Sequence, residues 1–258
     1  MSAPGELRII AVPLSDEVQR GDDLAEKLTR ALRHQNLKLE FGDILVVKHK
    51  IVSKAEGRIA SLATVKPSAA ARSWARRSGS DPRVVELALS ESVRVVRKKI
   101  VAKRKGVLIT QTHHGFVCAN SGVDVSNVDG GQSAVLLPEN PDRSAEELRA
   151  QLRKVFRANF AVIISDSFGR PWREGLTEVA IGIAGMKPLL DFRGRRDPHG
   201  YTLHASAEAV ADEVACAAGL VCGKLNQTPA CIVRGVTFKA GQGSARELIR
   251  PAENDLFR

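Results

Sequence analysis

The segment Ile164-Ser165-Asp166-Ser167-Phe168-Gly169-Arg170 sets a carboxylate between hydroxyls at the end of an apolar run. Arg173 and Glu174 lie just beyond it. A carboxylate with a neighbouring hydroxyl suits Mg2+ or Mn2+, hard ions that take oxygen ligands. Two arginines close behind can grip phosphate or carboxylate groups through paired N–H donors. An aspartate capping a turn, with both arginines facing water, would explain the same residues. Metal-type and anion-type groups occurring together favour the chemical reading.

Two other segments carry comparable groups. In Asn120-Ser121-Gly122-Val123-Asp124-Val125-Ser126-Asn127, Asp124 and Asn127 can bind a hard cation and a ligand hydroxyl or phosphate. An Asx-rich turn accounts for them equally well. Lys48-His49-Lys50, with Lys54 and Arg58, follows an apolar run and can neutralise phosphate oxygens. From that local pattern alone a solvated basic loop is the stronger reading. Arg193-Gly194-Arg195-Arg196-Asp197 is weaker still. The basic residues from Arg94 to Lys105 look like a nucleic-acid stripe, or the polar side of a helix and hairpin. His113 and His114 are adjacent, so on a strand their side chains would point apart.

Several chemistries are excluded. No Gly-x-x-x-x-Gly-Lys-Ser/Thr loop exists, and Gly241-Gln242-Gly243 leads to Arg246 rather than a third glycine, so neither a P-loop nor a Rossmann site is expected. There is no Gly-x-Ser-x-Gly elbow. Cys118, Cys216, Cys222 and Cys231 form no Cys-x-x-Cys pair and read as small, reduced, mostly buried side chains. The net charge of +10 draws anions without naming them. Aromatic residues make up only 4%, poor material for stacking bases, so nucleic acid is not the expected partner. The start Met1–Gly5 has no basic flank or apolar core. Apolar runs such as Gly106–Thr110 are too short to span a bilayer. A cytoplasmic protein with no membrane partner is expected.

The elements that must position these groups follow from pattern. Leu7–Val12 reads as a strand, and a helix follows from about Asp22, with Leu24, Leu28, Ala31 and Leu32 on one face. Gly42-Asp43 turns into the buried strand Ile44–Val47, and His49–Arg58 reads as a polar loop. Pro67-Ser68 open a short helix to Arg77. Asp81 caps a helix starting at Pro82, whose apolar face continues through Val93 to Val96. Ile100–Ala102 and Val107–Thr110 are strand-like. Ser144 and Glu147 form a capping box, Ala161–Ser165 is a buried strand ending at Asp166, and Ser206 caps an Ala-rich helix to about Leu220. Ala230–Val233 is a last strand. Helices and strands mix without regular βαβ alternation, which indicates an α+β fold. No repeat or linker divides the chain.

The ordered set of segments resembles the coenzyme F420-0:L-glutamate ligase family. The pieces are Gly21–Ala25, Gly42–Val47 leading to Ile51–Arg58, Asn120–Val128, Asp166–Arg173, Ala180–Gly185, Ala211-Asp212-Glu213, Val233-Arg234-Gly235 and the Gly241–Pro251 tail. Together they cover nearly the whole chain. The resemblance implies a single ligase domain over 1–258, with two interleaved α+β lobes and no fused nitroreductase domain. It implies GTP-driven addition of L-glutamate to coenzyme F420-0, with Mg2+ or Mn2+ and K+ as ions and a homodimer whose sites form where subunits meet. By that resemblance Asp124, Asp166 and Ser167 are metal ligands. The nucleotide positions are Ser15, Asp16, Glu17, Val18, His49, Lys50, Lys54, Asn127 and the loop Gly223, Lys224, Leu225, Asn226, Gln227 and Thr228. Arg170 and Arg173 are added here for phosphate or substrate carboxylates, alongside Asp124 and Asp166 as catalytic residues.

The chain departs from the family pattern twice. Relatives often carry Leu-Pro before the first helix, where this chain has Ser15-Asp16-Glu17-Val18 and its proline at Pro13, which bears on base specificity. Some relatives have an acidic metal ligand at Lys224. A charged lysine cannot serve there, so either that metal site is reorganised or Lys224 touches phosphate directly. A nucleic-acid-binding protein, or the same scaffold acting on another carboxylic acid, are the competing readings.

Overall fold

In the computed structural model, which describes residues 5–101, 106–126 and 128–255, a five-stranded sheet forms the centre. Its strands are β1 (Arg8–Val12), β2 (Ile44–Lys48), β8 (Ala161–Arg170), β9 (Arg173–Ala184) and β12 (Ala230–Arg234), in the order β1-β12-β2-β8-β9. Only β2 and β8 run parallel; the other neighbours are antiparallel. Ile44–Val47 and Ala161–Ile164 are buried on both faces, which is why these runs are continuously apolar rather than alternating.

Helices cover the sheet. In α1 (Leu24–His34), Asp23 accepts the Glu26 N–H and Leu28 and Leu32 are fully buried. α5 (Pro141–Phe156) lies against β8 and β9, and α6 (Val210–Cys222) against β9 and β12. Gly182 on β9 lets α5 approach: a Cβ there would sit 2.3 Å from the Pro141 carbonyl oxygen. Asp43, fully buried at the start of β2, takes both Arg234 Nε at 2.7 Å and Nη2 at 2.8 Å, joining β12 to β2.

A second apolar cluster gathers Leu62, Trp74, Val85, Leu108, Val123 and Leu136. It is built from α3 (Ala69–Ser78), α4 (Pro82–Ser90) and the sheet of β4 (Ser92–Ile100), β5 (Gly106–Thr112) and β6 (Val117–Ala119). Asp81 caps α4 as expected, and Ser68 stands as the cap of α3, accepting the Ala71 N–H. β3 (Ile59–Ser61) pairs with β7 (Ser133–Val135), and β10 (Leu190–Asp191) with β11 (Ala207–Glu208). The α+β expectation holds.

Five local expectations are corrected. His49–Ala55 is a helix, α2, not a loop. α4 stops at Ser90, because the β-branched run after it pairs with β5. The helix α5 begins at Pro141 with Asn140 as cap. Ser144 instead donates to Glu56 and to the Asn140 carbonyl from inside the first turns. β8 continues past Asp166 to Arg170, because the hairpin with β9 supplies partners out to Arg173. α6 begins at Val210 rather than after Ser206, since Ala207–Glu208 are drawn into β11. Of the strand-like Ile100–Ala102, Ala102 lies outside the described residues, as do Lys103, Arg104 and Lys105 of the basic stripe.

Candidate active site

β2 and β8 run side by side with Lys48 opposite Ser165, so the basic segment and the acidic segment meet. The chain leaves β2 directly into α2. The first two residues of α2 each reach a carboxylate. Lys50 Nζ lies 2.7 Å from Asp124 Oδ2, and His49 Nε2 lies 3.3 Å from Asp166 Oδ1. Asp124 and Asp166, far apart in sequence, are thereby gathered at the first turn of one helix.

Asp124 is further fixed by Ser126, which donates its N–H at 2.7 Å and its hydroxyl at 3.0 Å. Burial raises the Asp124 carboxyl, but the Lys50 hydrogen bond and the Ser126 N–H outweigh it and hold it below its usual range. The turn before it needs unusual backbone, with Asn120 and Ser121 both at positive φ, and Ser121 is locked there by Thr110 and the Ala88 carbonyl. His49 is almost fully buried, with Nδ1 3.3 Å from Ser53 Oγ. Its Nε2 approaches Asp166 without hydrogen-bond alignment and has no other partner. For Cys118 on β6, burial first, then the Asp166 charge, push the thiol up to about 12, so it stays protonated.

Alternation along β8 sends Ser165 and Ser167 to the opposite face. There both hydroxyls donate to Glu178 of β9, which is 6% exposed and also takes Lys48 Nζ at 2.5 Å. Burial raises the Glu178 carboxyl, yet the hydrogen bonds from Lys48 and Ser167 hold it below its ordinary range. Lys224 Nζ donates to Ser167 Oγ at 2.6 Å. The three metal candidates thus each have their own partners: Asp124 has Lys50, Asp166 has His49, and Ser167 has Glu178 and Lys224. Among the described residues no three His, Cys, Asp or Glu side chains cluster closely enough to hold an ion by themselves. The Asp124 and Asp166 carboxylates are nevertheless of the oxygen type that a hard divalent ion takes, and a substrate's own oxygens would complete such a site.

The remaining candidates divide. Glu17 accepts Lys54 Nζ at 2.5 Å, and Asp16 is held by Ser15 at 2.7 Å and by Lys27. Val18 is 3% exposed and belongs to the main core, so only its backbone is available to a ligand. Gly223–Thr228 is an exposed loop between α6 and β12. Its Gly223 and Gln227 have positive φ, Asn226 folds over Gly223, and Thr228 donates to the Asn226 carbonyl. Leu225 is almost wholly exposed. Arg170 donates to the Glu174 carbonyl while its buried Nε has no partner, and Arg173 is exposed at the hairpin tip. Asn127 lies outside the described residues.

Sequence reasoning missed Glu178. Its only signal was an acidic residue interrupting the apolar alternation of Leu176–Ala184. The other weak segments resolve as local structure: Arg193 clasps the Asp191 carboxylate through Nε, Nη2 and its backbone N–H, and His113 and His114 face different backbone carbonyls. Lys98 lies over the Trp74 ring of α3 and Arg94 donates to Gln111 of β5, so part of the basic stripe has partners within its own lobe of helices and sheet.

Residues 14–235 match the family model described as F420-0:Gamma-glutamyl ligase. A coenzyme F420:L-glutamate ligase from Methanothermobacter thermautotrophicus is 44% identical over 255 residues, 98% of this chain and 99% of the relative. The protein of that name from Methanopyrus kandleri is 44% identical over 257 residues, 98% of each chain. That from Methanocaldococcus jannaschii is 43% identical over 221 residues, 85% of this chain and 86% of the relative.

Proposed function

The chain belongs to the F420-0:gamma-glutamyl ligase family and is a ligase, and from that premise we propose that it joins L-glutamate to coenzyme F420-0, driven by GTP through an acyl phosphate. The observation that carries the reading is the gathering of Asp124 and Asp166 at the first turn of α2, each against a cationic or protonatable partner.

A free carboxylate is a poor electrophile because its leaving group would be oxide. Transfer of the γ-phosphoryl group of GTP to a carboxylate oxygen of the acceptor releases GDP and creates a leaving group. The amine of L-glutamate then attacks the acyl carbon, phosphate departs, and an amide remains after loss of a proton. Repetition at the new γ-carboxylate would lengthen the tail.

Asp124 and Asp166 at one face of β8, and Ser167 on the other, would supply oxygen donors for Mg2+ or Mn2+, and a bound ion would offset the charge that makes phosphate oxygens repel an incoming carboxylate. Lys50, Lys54 and Lys224 are cations already resting on carboxylate or hydroxyl oxygens, so phosphate oxygens can take over their hydrogen bonds without new ordering of the side chains. Lys224 fits phosphate better than metal. Ser15, Asp16 and Glu17 lie on an exposed loop tied to Lys27 and Lys54, suited to the base or ribose. Arg170 and Arg173 at the hairpin tip suit the carboxylates of the acceptor or of L-glutamate. A homodimer in a cytoplasmic setting belongs to the same reading; exposed Val93, Val107 and Val117 on the three-stranded sheet give it an apolar surface.

Mass spectrometry of the protein with coenzyme F420-0, L-glutamate, GTP and Mn2+, against a control lacking GTP, tests this. A GTP-dependent gain of glutamyl units is expected, with K+ and Mg2+ varied in parallel. No gain from folded protein would mean another acceptor. Asp124→Ala and Asp166→Ala should each lower turnover by at least about a hundredfold while circular dichroism stays native. Two active variants would remove the metal assignment.

A further inference from the structure

The last residue of α6, Cys222, and the second residue of β12, Cys231, bring their sulfur atoms within 2.9 Å of each other. A disulfide bond is about 2.05 Å long, so closing the pair requires movement of only about 0.9 Å. Both side chains are buried, at 2% and 0% exposure. The other two thiols lie elsewhere: Cys216 donates to the Glu178 carbonyl at 3.0 Å, and Cys118 is buried on β6. The segment joining the pair, 223–229, is the exposed loop that carries Lys224 to Ser167.

We propose that Cys222 and Cys231 are an oxidative modification site, at which a peroxide converts the dithiol to a disulfide that ties together both ends of the Lys224 loop. One thiolate attacks the peroxide, breaking its O–O bond and giving a sulfenic acid with release of an alcohol or water. The second thiol then displaces the sulfenic oxygen as water, and the S–S bond forms. Two electrons pass from the sulfur pair to one peroxide, and nothing else is consumed. Burial keeps bulky oxidants out, so a small peroxide reacts as the loop lifts. Because α6 and β12 already hold the thiols in contact, the folded structure changes little. The cross-link acts on the open forms of the loop and on the unfolded chain.

Treatment of the purified protein with hydrogen peroxide, followed by intact-mass measurement and non-reducing tryptic mapping, tests this. Trypsin cuts after Lys224, between the two cysteines, giving peptides 197–224 and 225–234. The expected result is a loss of about 2 Da and these two peptides joined until reductant is added. The link should persist in Cys216→Ser and vanish in Cys222→Ser. The oxidised protein should melt roughly 5–10 °C higher than the reduced form. Gains of oxygen without loss of hydrogen, or a link made through Cys216, would overturn the assignment. No step of the test depends on ligase activity, so it stands or falls separately from the proposed reaction.

Discussion

Glu178 accepts hydrogen bonds from Lys48, Ser165 and Ser167 in a nearly closed space. Removing one member of a buried ion pair strands the other, which costs about 3 kcal/mol here given partial exposure of Lys48. Glu178→Ala should therefore lower the urea midpoint more than the double change Lys48→Met with Glu178→Leu. Equal losses would show that the pair is held by something other than its mutual charge. The folded carboxyl lies below its ordinary value of 4.5, so its contribution is complete above that value and fades as pH falls through the lower folded one. Unfolding measured from pH 6 down to 3 should lose stability less steeply in Glu178→Gln than in the parent chain; identical slopes would contradict the assignment. Asp124 and Asp166 were legible from residue type beside hydroxyls and glycines. Glu178 was not, because its partners come from β2 and β8 and no local pattern records a contact across strands.

At the level of elements, Gly219 on α6 sets two effects against each other. Alanine in a helix interior is favoured over glycine by about 1 kcal/mol. Yet a Cβ at Gly219 would lie 2.7 Å from Glu178 Cγ, and that side chain is pinned by three partners. The steric term should win: Gly219→Ala is expected to reduce turnover severalfold and to lower the melting temperature. A stabilised, fully active variant would show that Glu178 can move freely. Gly182→Ala, where the obstacle is the Pro141 backbone, should cost about 2 kcal/mol or more in thermal unfolding. The buried strands and the cap at Asp81 were readable because each is a local signal. The helix α2 was not, since His49–Ala55 is short and polar at its start and is held by packing on β2 and β8. The Val93–Val96 run was misassigned because helical spacing and β-branching overlap there, and pairing with β5 decides the outcome.

Over the whole molecule, 39 basic against 29 acidic residues leave an excess that favours encounter with a polyanionic nucleotide. The KM for GTP should rise severalfold as KCl goes from about 50 to 300 mM, since exposed charges beyond about 10 Å are screened. A flat salt profile would place the recognition in buried contacts alone. The strand order β1-β12-β2-β8-β9 has a different kind of consequence. The strand made last sits between the first two, and Arg234 at its end closes on Asp43 at the start of β2. During synthesis on the ribosome, β1 and β2 must wait with open edges until residue 234 has left the exit tunnel. The growing chain carries paired-strand templates it cannot yet fill, and needs shelter from neighbouring nascent chains for most of its translation.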